Sequence, residues 1–274
     1  MYKTPEDTPT KFDIELEAGK NYYVYVVPKD DSIQSVVSQN ATYPDGYTAD
    51  NSVKIGGFHT LCADVGVIID HPLSGYQAGD ILPHSVWCLN HRPHSSPEGM
   101  VYDPSTDIWV DIYLQSGMGE NTRSAYGTPI TTNRTYTDHL SDMMRVKKSF
   151  LNDTEFASAM YGSNEKTNIQ GKKAPSPKSS GGHVDTANRR MISHIGCEDG
   201  CGYVSQFLSE TFPIQVPSIA AGRTAFRTDM NVLVGGGLWS GGVSNGSFFR
   251  SGQYSRSFKG EMLGARGCSR PRDF

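Results

Sequence analysis

The chain has 274 residues, of which 36% are hydrophobic and 29 are glycine, and its formal net charge is −4. That length can bury a core as one large domain or two small ones. The low hydrophobic share and the glycine excess argue against a helical bundle and for a loop-rich, β-containing protein, and the small negative charge argues against a polyanion partner.

Residues 1–10 are polar with two prolines and read as a loose end. Phe12, Ile14 and Leu16 share one parity. A turn at Gly19–Asn21 and the β-branched, aromatic run Tyr22–Val27 follow, which predicts a hairpin. Val53–Ile55 and Cys62–Ile69 read as strands with Gly56–Gly57 as a turn, Asp80–Asn90 as another strand, and residues 91–107, rich in Pro, Ser and His, as a long loop. Ile108–Leu114 is the clearest strand, with Trp109, Asp111 and Tyr113 on one face and Ile108, Val110, Ile112 and Leu114 on the other. Gly117–Asp138 reads mostly as loop. At Phe150–Tyr161 the period changes: Asn152 or Asp153 can cap a helix whose apolar face is Phe156, Ala159 and Met160. Ser163–Gly182 is a polar loop with Pro175 and Pro177. A second helix fits Thr186–Ile195, with Met191, Ile192 and Ile195 inward, and a short helical piece fits Gly202–Leu208. Pro213 and Pro217 precede a glycine-rich β segment. Strands, a helical middle and strands again give an α+β class with segregated helices.

The segment Val232–Phe274 holds ten of the 29 glycines, with Trp239, Phe248, Phe249, Tyr254 and Phe258 among them. Glycine costs roughly 1 kcal/mol against alanine inside a helix, so paired and tripled glycines leave short strands and tight turns. Two readings stay open on composition: an irregular β-meander, or a binding surface, since Tyr, Ser, Gly and Asn also dominate antibody loops. Arg250, Arg256, Lys259, Arg266, Arg270 and Arg272 face only Glu261 and Asp273 there, a locally basic surface rather than a nucleic-acid footprint.

No constellation makes a convincing enzyme. Gly242–Gly246 matches G-x-S-x-G, but no helix pattern follows Ser244 and no histidine lies beyond His194. Cys197 and Cys201 are too widely spaced for a CxxC redox motif. His183 and His194 could complete a zinc site on paper, and two small buried residues between helices is the better expectation. His84, His91 and His94 sit in a proline-broken segment and are expected in loop hydrogen bonds. Five cysteines, Cys62, Cys88, Cys197, Cys201 and Cys268, are no disulfide framework. No run approaches the ~18 apolar residues of a membrane span, and Met1–Gly19 lacks the pattern of a secretion signal.

Four stretches together resemble the variable proteins of diversity-generating retroelements, phage tropism determinants among them: Leu151–Phe156, Gly162–Asn168, Gly181–Gly196, and Val232–Cys268 with its Leu263–Gly267 ending. Ala78–Pro83, Glu98–Tyr102 and Trp109–Leu114 add to the likeness, which covers roughly residues 75–274. The resemblance implies a C-type lectin fold, two helices beside a twisted antiparallel β core, over 76–274, with an N-terminal β-rich extension or docking module over 1–75. It implies a variable region at 232–268, diversified by adenine-directed mutagenic retrohoming. Gly235, Gly236, Trp239, Gly242, Gly246, Arg250, Gly264 and Arg266 would be fixed framework: turns, packing, and arginines bonding carbonyls. Gly237, Leu238, Ser240, Gly241, Ser244, Asn245, Phe249, Ser251, Gln253, Tyr254, Phe258, Gly260 and Met262 would form the ligand surface, with Phe248 in the core. The implied partner is a host cell-surface protein or other macromolecular ligand, met at the tip of a viral tail fibre, with no cofactor, nucleic acid or membrane insertion. The sugar-and-calcium tripeptides of carbohydrate-binding lectins are absent. Two alternatives share the fold. A formylglycine-generating-like oxidase would need a C-terminal cysteine pair where only Cys268 stands. A cellular surface display protein would need a secretion route.

Overall fold

The structure, a computed structural model, describes residues 14–169, 178–220 and 223–272. The expected loose end, Phe12, Pro175 and Pro177 lie outside the described residues.

Strands β1 (Asn21–Lys29), β2 (Ser32–Ser38), β3 (Val53–His59) and β4 (Trp87–Cys88) form a sheet in the order β2-β1-β3-β4. The hairpin is β1 with β2, turning at Asp30 with φ 50°, rather than a strand before Gly19 paired with Tyr22–Val27. Gly56 and Gly57 are inside β3 and make no turn. A Cβ on Gly57 would lie 2.4 Å from the Tyr22 carbonyl and 2.8 Å from the Trp87 indole nitrogen, so the missing side chain is what lets β1, β3 and β4 close up. Tyr23, Tyr25, Val27 and Trp87 pack on Met100 and Trp109, so this sheet shares a core with the chain that follows. Cys62–Ile69 is not a strand: Val65 N donates to Tyr76 O, and Val67 and Ile69 are exposed. Asp80–Asn90 supplies only β4.

β5 (Met100–Asp103) lies inside the expected loop 91–107 and pairs with β6 (Ile108–Asp111). β6 has no wet face, because Trp109 and Asp111 are as buried as Ile108 and Val110. After the short ladder of β7 (Gln115–Ser116) and β8 (Arg123–Ser124), α1 (Tyr136–Arg145) starts within the expected loop 117–138. Thr135 and Asp138 form its capping box. β9 (Ser149–Phe150) leads to α2 (Asp153–Ala159), capped reciprocally by Asn152 and Glu155, with Phe156, Ala159 and Met160 in the core as expected. The other two expected helices do not form. Asp185 Oδ1 accepts from Ala187 N and Arg189 N, a turn that competes with a helix start, and Met191 and Ile192 reach the core from irregular backbone. Gly202 is left-handed at φ 70°, and Ser205 already opens a strand.

β10 (Ser205–Ala220), β11 (Arg223–Gly236), β12 (Gly246–Ser255) and β13 (Leu263–Gly264) form a sheet in the order β12-β11-β10-β13. β10 meets β13 only at Ser205 and Gln206, so Pro213 and Pro217 sit on an edge where no donor is needed. β14 (Gly267–Ser269) closes a third sheet, β5-β6-β14-β9. The class is thus α+β, with two α-helices among the described residues. Among the described residues no helix is long and apolar enough to cross a membrane.

Three buried histidines set an acid limit: burial lowers His59 to about 3 and His71 to about 4, and His139 adds to them. His139 on α1 is fully buried; its Nδ1 lies 2.6 Å from Gln115 Oε1, and its Nε2 has no partner. Burial, with Arg134 nearby, lowers its pKa to about 4. The unfolded chain takes this proton near pH 6.5 and the folded chain does not, so stability falls as pH drops from 6.5 toward 4. At pH 5 the expected loss is about 2 kcal/mol. His139→Gln should remove about 2 kcal/mol of the loss between pH 7 and pH 5 in urea titrations, leaving the share of His59 and His71; an unchanged limb refutes it.

Candidate ligand-binding face

The chain leaves β11 through two left-handed glycines, Gly236 at φ 86° and Gly237 at φ 79°. Leu238 then runs parallel to Tyr203, and Trp239 packs against Tyr203, Val204 and Met191. Gly242–Ser244 is a single 3-10 turn followed by β12 rather than a helix, so the G-x-S-x-G spacing makes no nucleophile elbow.

Asn245 closes this loop. Its Oδ1 accepts from Leu238 N at 3.0 Å, and its Nδ2 donates to Leu238 O at 3.0 Å and Thr167 O at 2.9 Å. It is buried, as is Gly237, where a Cβ would lie 2.0 Å from Asn245 Oδ1. Both were expected on the ligand surface; the structure makes them part of the frame. At Gly246 a Cβ would lie 1.8 Å from Glu165 Oε2, and Glu165 Oε1 accepts from Ser247 N at 2.8 Å. Removing the Asn245 side chain strands the Leu238 amide and takes one of two donors from each of the Leu238 and Thr167 carbonyls, which keep Gly241 N at 2.8 Å and Asn164 Nδ2 at 3.5 Å. Asn245→Ala should cost about 2 kcal/mol and speed hydrogen exchange at the Leu238 amide; unchanged exchange there would show that the clasp is ornamental.

β12 is irregular against β11: Gly236 faces Gly246, but Gly235 faces Arg250. Ser247, Phe248 and Phe249 therefore bulge out of register. Phe248, expected in the core, is 74% exposed for this reason. Arg250 pins the bulge. Its Nη1 donates to Ser247 O at 2.7 Å and Phe249 O at 2.8 Å, its Nη2 donates to Asp153 O at 3.0 Å, and its Nε meets the Asp153 carboxylate. Arg266 is wholly buried and donates to the carbonyls of Asp111, Ile112 and Glu198. Both framework arginines bond carbonyls, as expected.

Of the remaining expected ligand residues, Ser240, Ser244, Gln253 and Phe258 are exposed; Leu238, Gly241, Phe249, Ser251, Tyr254, Gly260 and Met262 are half-buried. The Tyr254 and Phe258 rings lie 5.0 Å apart, and Tyr254 and Met262 also lean on the core beside Phe207 and Leu263. Arg256 stands over the Tyr136 ring at 5.4 Å. The residues that seat the loop, Glu165, Thr167 and Asn168, were not singled out as site residues. The run Gly162–Asn168, polar throughout, was the available signal.

The other constellations dissolve. Cys197 and Cys201 are fully buried, but not between helices, and burial pushes the Cys197 thiol up to about 12. His183 lies 2.8 Å from Asp199 instead, and among the described residues no group of His, Cys, Asp and Glu is placed to hold a metal. His84 Nδ1 bonds Tyr102 O, and His91 packs on Tyr102 and Trp109.

A glycine-framed loop and a bulged strand are clasped by buried side chains and carry half-buried and exposed ones between them. Residues 1–88 match the family model described as the Mtd second domain. The chain is 23% identical, over 92% of its length and 71% of the relative's, to the "Tail fiber receptor-binding protein" of Bordetella phage BPP-1. Its fold is that of the Major Tropism Determinants: it matches the U1 variant with a TM-score of 0.76 and 22% identity, covering 94% of this chain and 74% of that one. The P3c variant matches with a TM-score of 0.75 and 23% identity, covering 93% and 73%. The resemblance to tropism-determinant variable proteins, with their C-type lectin-like fold, therefore extends over nearly the whole chain.

Proposed function

We propose that this chain attaches a phage to its host: a hypervariable receptor-binding protein at the tip of a tail fibre, diversified by adenine-directed mutagenic retrohoming. The relative's description as a tail fibre receptor-binding protein supports this reading. The observation that carries it is the division within 232–268. Frame groups such as Asn245, Arg250 and Arg266 spend their polar atoms on backbone, while the exposed side chains of Ser240, Ser244 and Gln253 make no hydrogen bond among the described residues and the exposed Phe258 ring has none to make. Side chains of that second kind can be exchanged with little effect on folding. The partner is a host cell-surface protein or another macromolecule, gripped at the surface from Leu238 to Met262. Residues 1–75, extended by the strand at Trp87–Cys88, serve as a docking module behind the lectin portion from residue 76.

The test is sequence comparison across sister particles. Substitutions should concentrate at the exposed and half-buried positions and spare Gly237, Asn245, Arg250 and Arg266, with a template repeat and a reverse transcriptase beside the gene. An invariant 232–268 with neither neighbour overturns the reading. The oxidase alternative fares poorly on its own chemistry, because Cys268 is buried in β14 and its thiol is pushed up to about 12, far from a thiolate.

A further inference from the structure

Beside the variable face lies a groove of about 530 Å³ that shares only Phe248 with the stretch from Leu238 to Met262. One wall is the outer face of α2, with Ser158 and, just past its end, Tyr161; the other includes His84 and Ser105; His194 and Phe248 complete it. Its size is that of a small-ligand site.

Two features stand out. Phe248 and Tyr161 are 74% and 59% exposed, large aromatic faces left in water at the groove. Phe248 is held there by the bulge that Arg250 pins, so its exposure is built into the strand register. The second feature is the polar inventory. The hydroxyls of Ser105, Ser158 and Tyr161 and both ring nitrogens of His194 make no hydrogen bond among the described residues, and His84 uses only Nδ1, toward Tyr102 O at 3.0 Å. Burial, with Arg189 nearby, holds His194 below the usual imidazole range, so it is neutral at pH 7 and can both donate and accept. No lysine or arginine lines the groove among the described residues. The lining carboxylate, Asp103, is already spent on Ser105 N and Thr106 Oγ1, each at 2.9 Å.

A neutral lining of free hydroxyls and imidazoles between two aromatic faces matches one class of occupant. An apolar peptide would bury these polar groups without partners, and an anionic ligand would find no cation. A pyranose ring offers hydroxyls at its rim and a C–H face for aromatic contact. We propose that this groove binds one neutral glycosyl unit of a surface glycan, with Phe248 and Tyr161 as the packing faces and His84 and His194 bonding its hydroxyls.

The test is saturation-transfer NMR on the full chain with glucose, galactose, mannose and N-acetylglucosamine, each at millimolar concentration. At least one sugar should show transfer that falls about tenfold in the Phe248→Ala/Tyr161→Ala double variant and is unaffected by Val53→Ala, at the end of β3 opposite the His59 that bonds Ser85 beside the groove. Both truncated side chains stand mostly in water, so the thermal midpoint of the double variant should match the parent's. No transfer from any of the four sugars, or equal transfer in the double variant, overturns the proposal. Because no host cell enters this measurement, its failure leaves the attachment reading standing, and an invariant variable region would leave the groove standing.

Discussion

Arg266→Leu is expected to cost about 5 kcal/mol, as much as the whole stability of a marginal domain. Arg266 is fully buried, and its guanidinium serves four acceptors: Asp111 O at 2.7 Å, Ile112 O at 2.5 Å, Glu198 O at 2.5 Å and Gln206 Oε1 at 2.9 Å. These come from β6 and the residue after it, from the turn before β10, and from β10 itself, so one side chain ties the start of the β12-β11-β10-β13 sheet to the β5-β6-β14-β9 sheet. Leucine fills much of the volume but takes the guanidinium away from three carbonyls and an amide oxygen, of which the Ile112 carbonyl keeps Glu198 N at 2.8 Å. It also removes a cation near Asp111, whose carboxyl burial already pushes upward and which Lys148, Arg266 and Gly267 N hold down. Lysine should rescue little, because one ammonium cannot span a planar fork of acceptors. Urea denaturation and soluble yield measure the effect. An Arg266→Lys variant within 1 kcal/mol of the parent would show that charge alone, not the fork, does the work.

What could be read from the residues depended on whether a position's neighbours lie close in sequence. Phe156, Ala159 and Met160 share a helix face, and Asn152 caps it from within four residues, so α2 was legible. α1 was not. Its buried positions are Tyr136, His139, Asp142 and Met143, and two polar side chains in the inward stripe hide the period; only the Thr135-x-x-Asp138 box announced it. Pro213 and Pro217 were read only as preceding the β segment, whereas β10 runs through both, because nothing local tells an edge strand from a loop. At the site, the framework glycines and arginines were legible because Gly and Arg have few other uses in such a segment. Asn245 and Phe248 were misplaced in opposite directions for one reason. The slip between Gly236 facing Gly246 and Gly235 facing Arg250 is a property of the strand pair. It sends a phenylalanine out and leaves an asparagine facing Thr167 O, 78 positions away in sequence.

Phe258→Ala should lower affinity for susceptible host cells by about 100-fold, close to 3 kcal/mol, while costing about 1 kcal/mol of folding stability. Phe258 is 37% exposed and stacks on Tyr254, which itself rests on the core. The pair is thus a ring braced from behind by a second ring, an anchor whose rotamer is set before the partner arrives. Such pre-ordering removes much of the entropy cost of binding, and a buried aromatic anchor is the usual seat of interface energy. The contrast with neighbouring positions makes the measurement decisive. Ser240→Ala and Gln253→Ala should change stability by no more than about 0.5 kcal/mol and affinity by less than about tenfold, as rim positions do. Asn245→Ala should lose stability first and affinity only through a loosened loop. Binding isotherms of the purified chain on host cells, paired with urea titrations of the same variants, separate the three behaviours. If Phe258→Ala bound like the parent while Ser240→Ala or Gln253→Ala lost a hundredfold, the grip would lie on the 238–245 loop and the braced ring pair would be only packing.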